Sequence, residues 1–349
     1  MGDLRLWITG VMKDEGARPA LLPLKWVLWA LSLLYGAGIW FVDLAYRRGF
    51  RKTTKVDVPV ISVGNITAGG TGKTPFSLYI VRELAGRGCR PAILTRGYGR
   101  DEDKMLAGEL PEVPVVVGRD RVKSAAYAVS KGCDVLVMDD GFQHRALERD
   151  LDIVLVDADS MAGNTGLLPR GPFRERISAL SRADIVVVTG TSEMGEAQRN
   201  TVLSRLGNVI SGKLVAESIR RPVSLSDVSG KNTSLGNAKN KKVLLVSGIA
   251  SPGSFELIAG RCGMELTGHM VYDDHHAYTA SDVEEIGGRF AASGADNIVV
   301  TKKDMVKLAE LELGVLRDKI LALNVDMDIV RGKESVLAGL DSVLHSQGS

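Results

Sequence analysis

The sequence predicts an α/β fold: a mostly parallel sheet flanked by helices, with a smaller C-terminal α/β domain and an N-terminal membrane-associating helix. Three observations predict it. β-Branched runs alternate with helical patterns from residue 58 onward, the habit of a parallel sheet covered on both faces. A glycine-rich turn directly follows the first of those runs, which makes the sheet one of the P-loop NTPase type. Ahead of it lies an apolar run without a single charge.

That run, residues 26–42 (WVLWALSLLYGAGIWFV), holds three of the four tryptophans. It is slightly shorter than the ~20 residues of a comfortable bilayer span, and residues 21–24 extend it if Lys25 snorkels. Spanning the bilayer and lying in its interface both remain open. No small-residue cleavage site follows, so retention is expected. Arg47, Arg48, Arg51, Lys52 and Lys55 come next, a basic cluster suited to anionic headgroups on the cytoplasmic side.

Strands are expected at 58–63, 91–95, 113–117, 135–138, 153–156 and 185–188, with helices at 74–86 and 119–131. Around 224–242 the composition turns to Ser, Asn, Gly and Lys with no hydrophobic period, which reads as a linker or exposed loop. Beyond it, strands at 243–247, 298–301 and 320–324 alternate with helices near 253–263, 281–293, 303–311 and 334–345. The expected division is 1–55 as the membrane-associating segment, 56–222 as the P-loop core and 223–349 as the smaller domain.

A formal charge of +2 argues against a nucleic-acid binder working through a broad basic field. Cys89, Cys133 and Cys262 are odd in number and lack CxxC spacing, so neither a disulfide framework nor a zinc site is expected. A reducing cytosol fits, and no motif calls for an obligate protein partner.

The turn reads Thr67-Ala68-Gly69-Gly70-Thr71-Gly72-Lys73-Thr74. Its backbone N–H groups can cradle a triphosphate, Lys73 can reach the β/γ oxygens, and the Thr74 hydroxyl can ligate Mg²⁺. Glycine is usual at position 67, so this is a variant of the pattern. Asp139-Asp140-Gly141-Phe142-Gln143-His144 closes a later strand, where an acid can serve Mg²⁺ directly or through water. His144 either touches substrate or finishes the turn. Arg119-Asp120-Arg121 opens a helix at another strand edge, where guanidinium groups could offset phosphate charge or simply start the helix in water.

The stretch from Gly163 and Asn164 to Arg174 and Glu175 is too rich in Gly and Pro for a regular element. It is a loop whose mixture suits an amphiphilic phosphorylated ligand. Asp273-Asp274-His275-His276 lacks helical zinc spacing and reads better as a base or base partner. Thr301-Lys302-Lys303-Asp304 could hold a nucleotide base through Asp304, and Thr301 as a helix cap explains it equally well.

Together the motifs resemble one family, the tetraacyldisaccharide 4′-kinases of lipid A biosynthesis, over nearly the whole chain. They are the turn with its flanks from Gly64 and Asn65 to Pro75, Thr95-Arg96-Gly97-Tyr98-Gly99-Arg100, Asp139 to His144, Gly163 to Glu175, Asp274 to Tyr278, and Thr301 to Asp304. The Thr67 variant belongs to the resemblance.

The resemblance implies transfer of the ATP γ-phosphate to the 4′-hydroxyl of an acylated glucosamine disaccharide 1-phosphate, giving lipid IVA. Such an enzyme works at the cytoplasmic face of the bacterial inner membrane. An acylated acceptor leaves lipid at about 0.8 kcal/mol per CH₂, so the bilayer is an expected partner. Lys73 and Thr74 would hold phosphates and Mg²⁺, and Asp139, Asp140 and Glu175 would match the metal-associated acids. Arg121 would offset transition-state charge, Asp304 would serve the nucleotide, and Asn65, His144, Asn164 and Arg174 would face the acceptor. The family's base is an aspartate in Gly-Asp-Glu-Pro, working with the first histidine of Asp-His-His, here His275. Asp101 is the best match, although Arg100 and Asp103 replace the flanking Gly and Pro. An alternative that keeps the same turn is a membrane-associated ATPase driving a partner protein. Dependence on a lipid acceptor separates the two.

Overall fold

The computed structural model describes residues 22–97, 106, 108–191, 194–207 and 209–345. They fall into two units by contact. The first comprises 1–97, 110–219 and 329–349, and the second 98–109 and 220–328.

The first unit begins with helix α1, Leu22–Arg47, 26 residues that rise about 39 Å, against a hydrocarbon core of about 30 Å. It is the one described helix long and apolar enough to cross a membrane. Trp26, Trp29, Leu34, Trp40 and Phe41 are all exposed, whereas Lys25, Leu28, Ser32, Gly36, Ile39, Asp43 and Tyr46 are covered or partly covered. Those seven recur every three or four residues, so they form one stripe on one face. The usual arrangement is inverted, with the small and polar stripe turned to the protein and the aromatic flank left uncovered.

After α1 come β1 (Val60–Asn65), α2 (Lys73–Gly86), β2 (Pro91–Thr95), β3 (Val115–Val117), α3 (Arg121–Ser130), β4 (Val135–Asp139) and β5 (Leu151–Asp157). α4 (Ala158–Ala162), β6 (Ile185–Thr189), α5 (Glu196–Leu206) and β7 (Leu214–Ser226) follow. The order across the sheet is β7-β6-β5-β1-β4-β2-β3, all parallel. β1, β2, β4 and β6 are buried at every position, which is why their sequences are continuous apolar runs rather than alternating ones. Val60, Leu94, Leu136 and Met138 pack on one side, and Ile66, Phe142, Val154, Val156, Phe173 and Val188 on the other.

The second unit holds β8 (Asn232–Thr233), β9 (Lys242–Ser247), α6 (Pro252–Arg261), β10 (Glu265–Val271), α7 (Ala280–Ser293), β11 (Asn297–Thr301), α8 (Lys302–Leu308) and β12 (Ile320–Arg331). β10, β9, β11 and β12 lie side by side and parallel. Part of the expected linker at 224–242 is ordered structure. Leu225 and Ser226 pair antiparallel with Thr233 and Asn232, and the carboxamide of Asn324 donates to Ser224 and Asn232.

The last helix, α9 (Lys333–His345), was expected in the smaller domain and groups with the first unit instead. Gly339 is the reason it fits there: a Cβ at that position would stand 2.8 Å from Ile185 Cδ1. Arg87 of the first unit also donates to Asp341 at 2.9 Å.

Candidate active site

β1 delivers the chain into the glycine-rich turn, and α2 leaves it. Gly69 and Gly72 both hold positive φ, 114° and 85°, which the absence of a side chain permits. Gly72 is the N-cap of α2, and no side chain caps that helix. An uncapped N-terminus at a parallel sheet's carboxyl edge is a ready anion site. The turn is braced from beneath. Asn65 Nδ2 donates to Thr71 Oγ1 at 2.9 Å, the Ala68 N–H donates to Pro172 O at 2.7 Å, and Thr67 pairs with Phe173.

β4 lies beside β1, with Val63 opposite Asp139, so the two acids face the turn. Thr74 Oγ1 donates to Asp139 Oδ2 at 3.0 Å and Ser77 Oγ to Asp139 Oδ1 at 2.8 Å. Asp139 is buried, and burial raises its pKa against the two hydroxyls and Lys73. Asp140 sits at φ 53°, a left-handed conformation costly for a residue with a Cβ. Its carboxylate lies 3.6 Å from Lys73 Nζ and 2.9 Å from Arg174 Nη1. Burial raises the Asp140 pKa, but Lys73 and Arg174 outweigh it and hold the carboxyl below its ordinary range.

The two-acid turn can approach β1 so closely because residue 64 is glycine. A Cβ there would meet Phe142 Cβ at 2.5 Å and Phe142 N at 2.7 Å.

The structure thus brings Thr67 to Thr74, Asp139, Asp140 and Arg174 together. Several other expected residues make contacts within the fold. Asn65 is fully buried and braces Thr71 instead of facing an acceptor. Asn164 accepts from Gly166 N and donates to Arg170 O, so its amide closes its own loop. Glu175, expected among the metal-associated acids, is buried and accepts from Arg182 at 2.9 and 3.1 Å and from Gln143 at 3.2 Å. Those partners already neutralise it. Arg121 is buried and donates to Gly118 O and Asp139 O, so it supports the acidic turn from below. His144 is partly buried, and its Nε2 has no hydrogen-bond partner among the described residues. Burial and then Arg121 and Arg149 lower its pKa.

Ser77, Gln143 and Arg182 were not singled out from sequence. Ser77 had a readable signal, since it lies three residues after Thr74 on the same face of α2. Gln143 Nε2 also donates to Asn65 O at 2.8 Å, and Arg182 lies 4.4 Å from the Phe142 ring centroid.

In the second unit, His275 holds φ 63° and its Nε2 lies 3.0 Å from Lys303 Nζ. Asp304 is fully buried. It accepts from Thr301 Oγ1 at 2.5 Å and Gly248 N at 3.1 Å, and Thr301 caps α8. Asp304 thus joins the ends of two strands. Asp101 lies outside the described residues.

Among the described residues no three His, Cys, Asp or Glu side chains cluster to hold a metal ion by themselves. A hydroxyl and a buried carboxylate 3.0 Å apart, Thr74 and Asp139, nonetheless fit Mg²⁺, which takes few protein oxygens and completes its shell with water and phosphate.

Strand, glycine turn, uncapped helix and facing acids define a phosphate-binding protein of the P-loop class. The family model for LpxK, tetraacyldisaccharide-1-P 4′-kinase, matches residues 24–104 and 101–345. A tetraacyldisaccharide 4′-kinase from Anaeromyxobacter sp. (strain K) is 36% identical over 86% of this chain and 85% of its own length. Its counterpart from Syntrophus aciditrophicus is 36% identical over 88% and 89%. The crystal structure of the LpxK of Aquifex aeolicus in complex with ATP is 29% identical, covers 94% of this chain and 99% of its own, and has a TM-score of 0.71. The chain belongs to the tetraacyldisaccharide 4′-kinase family.

Proposed function

We propose that this protein is an ATP-dependent lipid kinase of lipid A biosynthesis, transferring the γ-phosphate to the 4′-hydroxyl of tetraacyldisaccharide 1-phosphate. The observation that carries the reading is the glycine turn set against Asp139 and Asp140 in a chain of this family. ATP binding is supported by the ATP complex of the Aquifex relative.

Lys73, at the start of α2, places a cation where triphosphate oxygens would lie, and the α2 N-terminus adds its free N–H groups. Asp140 lies beside the Lys73 ammonium, and Arg174 shares that carboxylate. Thr74 and Asp139 would hold Mg²⁺, which when bound supplies neutralisation of the triphosphate charge. Ser77 keeps the Asp139 carboxylate oriented toward Thr74. Asp101, aided by His275, would accept the proton of the attacking sugar hydroxyl, and Lys303 lies beside the His275 ring.

The acceptor is held in lipid, so the enzyme works at the membrane through α1. The exposed Arg47, Arg48, Arg51, Lys52 and Lys55 support a body on the cytoplasmic side, the face that basic residues prefer.

The test supplies purified protein with ATP, Mg²⁺ and the disaccharide 1-phosphate in detergent micelles. Mass spectrometry should find the acceptor one phosphate heavier. ATP turnover indifferent to the acceptor would sink the reading. Asp101→Ala should abolish transfer and leave ATP binding largely intact; near-normal turnover would remove Asp101 as the base.

A further inference from the structure

α1 does not merely lie beside the protein, because one side chain fastens it. Ser32 is the only buried side chain among the described residues of that helix, 7% exposed. Its hydroxyl stands 2.9 Å from its own helical partner, Leu28 O, and 2.9 Å from Leu167 O, and it accepts from Arg170 N at 3.0 Å. One helical turn later, Gly36 lets Leu167 close in, since a Cβ there would stand 2.9 Å from Leu167 Cδ1. Both contacts fall on one short loop.

That loop is closed on itself. Gly171 N donates to Leu167 O, Phe173 N to Gly166 O, and Leu168 N to Phe173 O, at 2.9, 3.1 and 2.8 Å. Gly171 packs so tightly that a Cβ would lie 2.2 Å from Gly166 O. Its far side joins the phosphate turn. Ala68 N donates to Pro172 O and Arg174 N to Ile66 O, both at 2.7 Å, while the Arg174 side chain grips Asp140. Hydrogen bonds joined through the loop backbone therefore connect the middle of the apolar helix to the glycine turn and its facing acid, all within one unit of the fold.

We infer that Ser32 is a positioning residue: it locks α1 to the 166–173 loop and so sets the height of the phosphate turn relative to the lipid that holds the acceptor. The inference rests on the lipid-kinase reading. An acyl-anchored sugar cannot adjust its own depth freely, so in-line attack requires the turn to be held at a matching level, and misplacement by about 1 Å can cost up to 10²-fold. The hydroxyl suits this task. It satisfies loop backbone groups at the edge of a helix flank facing lipid, where an unpaired N–H or C=O is costly.

The test uses the full chain in mixed micelles, varying the acceptor's mole fraction at saturating ATP, and then ATP at saturating acceptor. Ser32→Ala should lower kcat/KM for the acceptor about tenfold while KM for ATP stays within about twofold. Ser32→Thr, which keeps the hydroxyl, should restore most of the loss. Gly36→Val wedges the same seam with Ser32 in place and should reproduce the acceptor-selective defect, so the conclusion does not depend on one variant. Amide exchange at Arg170 should quicken in Ser32→Ala. Unchanged acceptor kinetics, or a KM for ATP that rises in step, would overturn the inference. A wild-type protein that phosphorylates no lipid acceptor would overturn the kinase reading itself.

Discussion

Arg174 sets Nη1 2.9 Å from both carboxylate oxygens of Asp140, and Asp140 in turn stands 3.6 Å from Lys73. Arg174 thus competes with Lys73 for one carboxylate. Removing it leaves Asp140 to Lys73 alone, which draws the ammonium away from triphosphate. We expect Arg174→Ala to raise KM for ATP roughly tenfold, the weight of one charged hydrogen bond. Steady-state kinetics with varied ATP measures it, and an unchanged KM would mean that the pair does not tune Lys73.

Lys73→Ala removes the cation at the turn without touching a packed core. We expect kcat to fall by about 10²–10³-fold, as for loss of one preorganised electrostatic contact. The thermal midpoint should move little. A variant with substantial turnover would show that the phosphate charge is met elsewhere.

Gly64→Ala is a methyl group placed against Phe142, whose Cβ and backbone N lie 2.5 and 2.7 Å from the new atom. Backbone has to move, at a cost of about 1–3 kcal/mol. Because Phe142 follows Asp140 by two residues, the acids should shift as well. Denaturant melts and ATP affinity should both worsen, and loss of stability alone would separate packing from the site.

His144 gives a pH dependence whose sign follows from its environment. Burial, with Arg121 and Arg149, holds its folded pKa below the unfolded value, which is about 6.5. The unfolded chain therefore binds the proton first. The stability is complete above about pH 6.5 and is lost as pH falls from there through the folded pKa. His144→Asn should flatten that part of the stability profile. Urea midpoints at pH 7.5 and 5.5, for both proteins, read the difference; parallel profiles would rule His144 out as the cause.

Asp304 carries no exposed surface and joins Thr301 to Gly248. Asp304→Ala should destabilise the protein by about 1–3 kcal/mol, the cost of leaving buried donors unpaired, while KM for ATP at low temperature stays near wild type. A large rise in that KM with normal stability would restore the nucleotide role.

Much of this was legible in the chain because the signals were local. β1, the glycine turn and α2 follow one another within 27 residues numbered 60–86, and each has its own pattern: an apolar run, glycines at positive φ, a helical period. β7 and β10 escaped. β7 carries Arg220, Arg221 and Pro222 and is buried only in part, and β10 is the last strand of its parallel set, with Glu265, Leu266 and Val271 exposed. Edge and half-covered strands lack the continuous apolar run that marks a buried one. The surroundings of Asn65, Glu175 and Asp304 were not legible for a different reason. Their types promise chemistry, but what meets each side chain is decided by the fold, as Gly248, 56 residues from Asp304, shows.

The inverted stripe of α1 opens a practical route to a water-soluble version of this enzyme. Trp26, Trp29, Leu33, Leu34, Trp40 and Phe41 are all exposed, whereas the helix is fastened through Ser32, Gly36 and the Asp43–Arg145 ion pair. Exchanging those six for Lys, Glu and Gln would trade the lipid-seeking flank for a hydrated one and leave the seam intact. Such a redesigned chain should stay dispersed without detergent, and crystallisation or high-throughput inhibitor screening could then proceed in plain buffer.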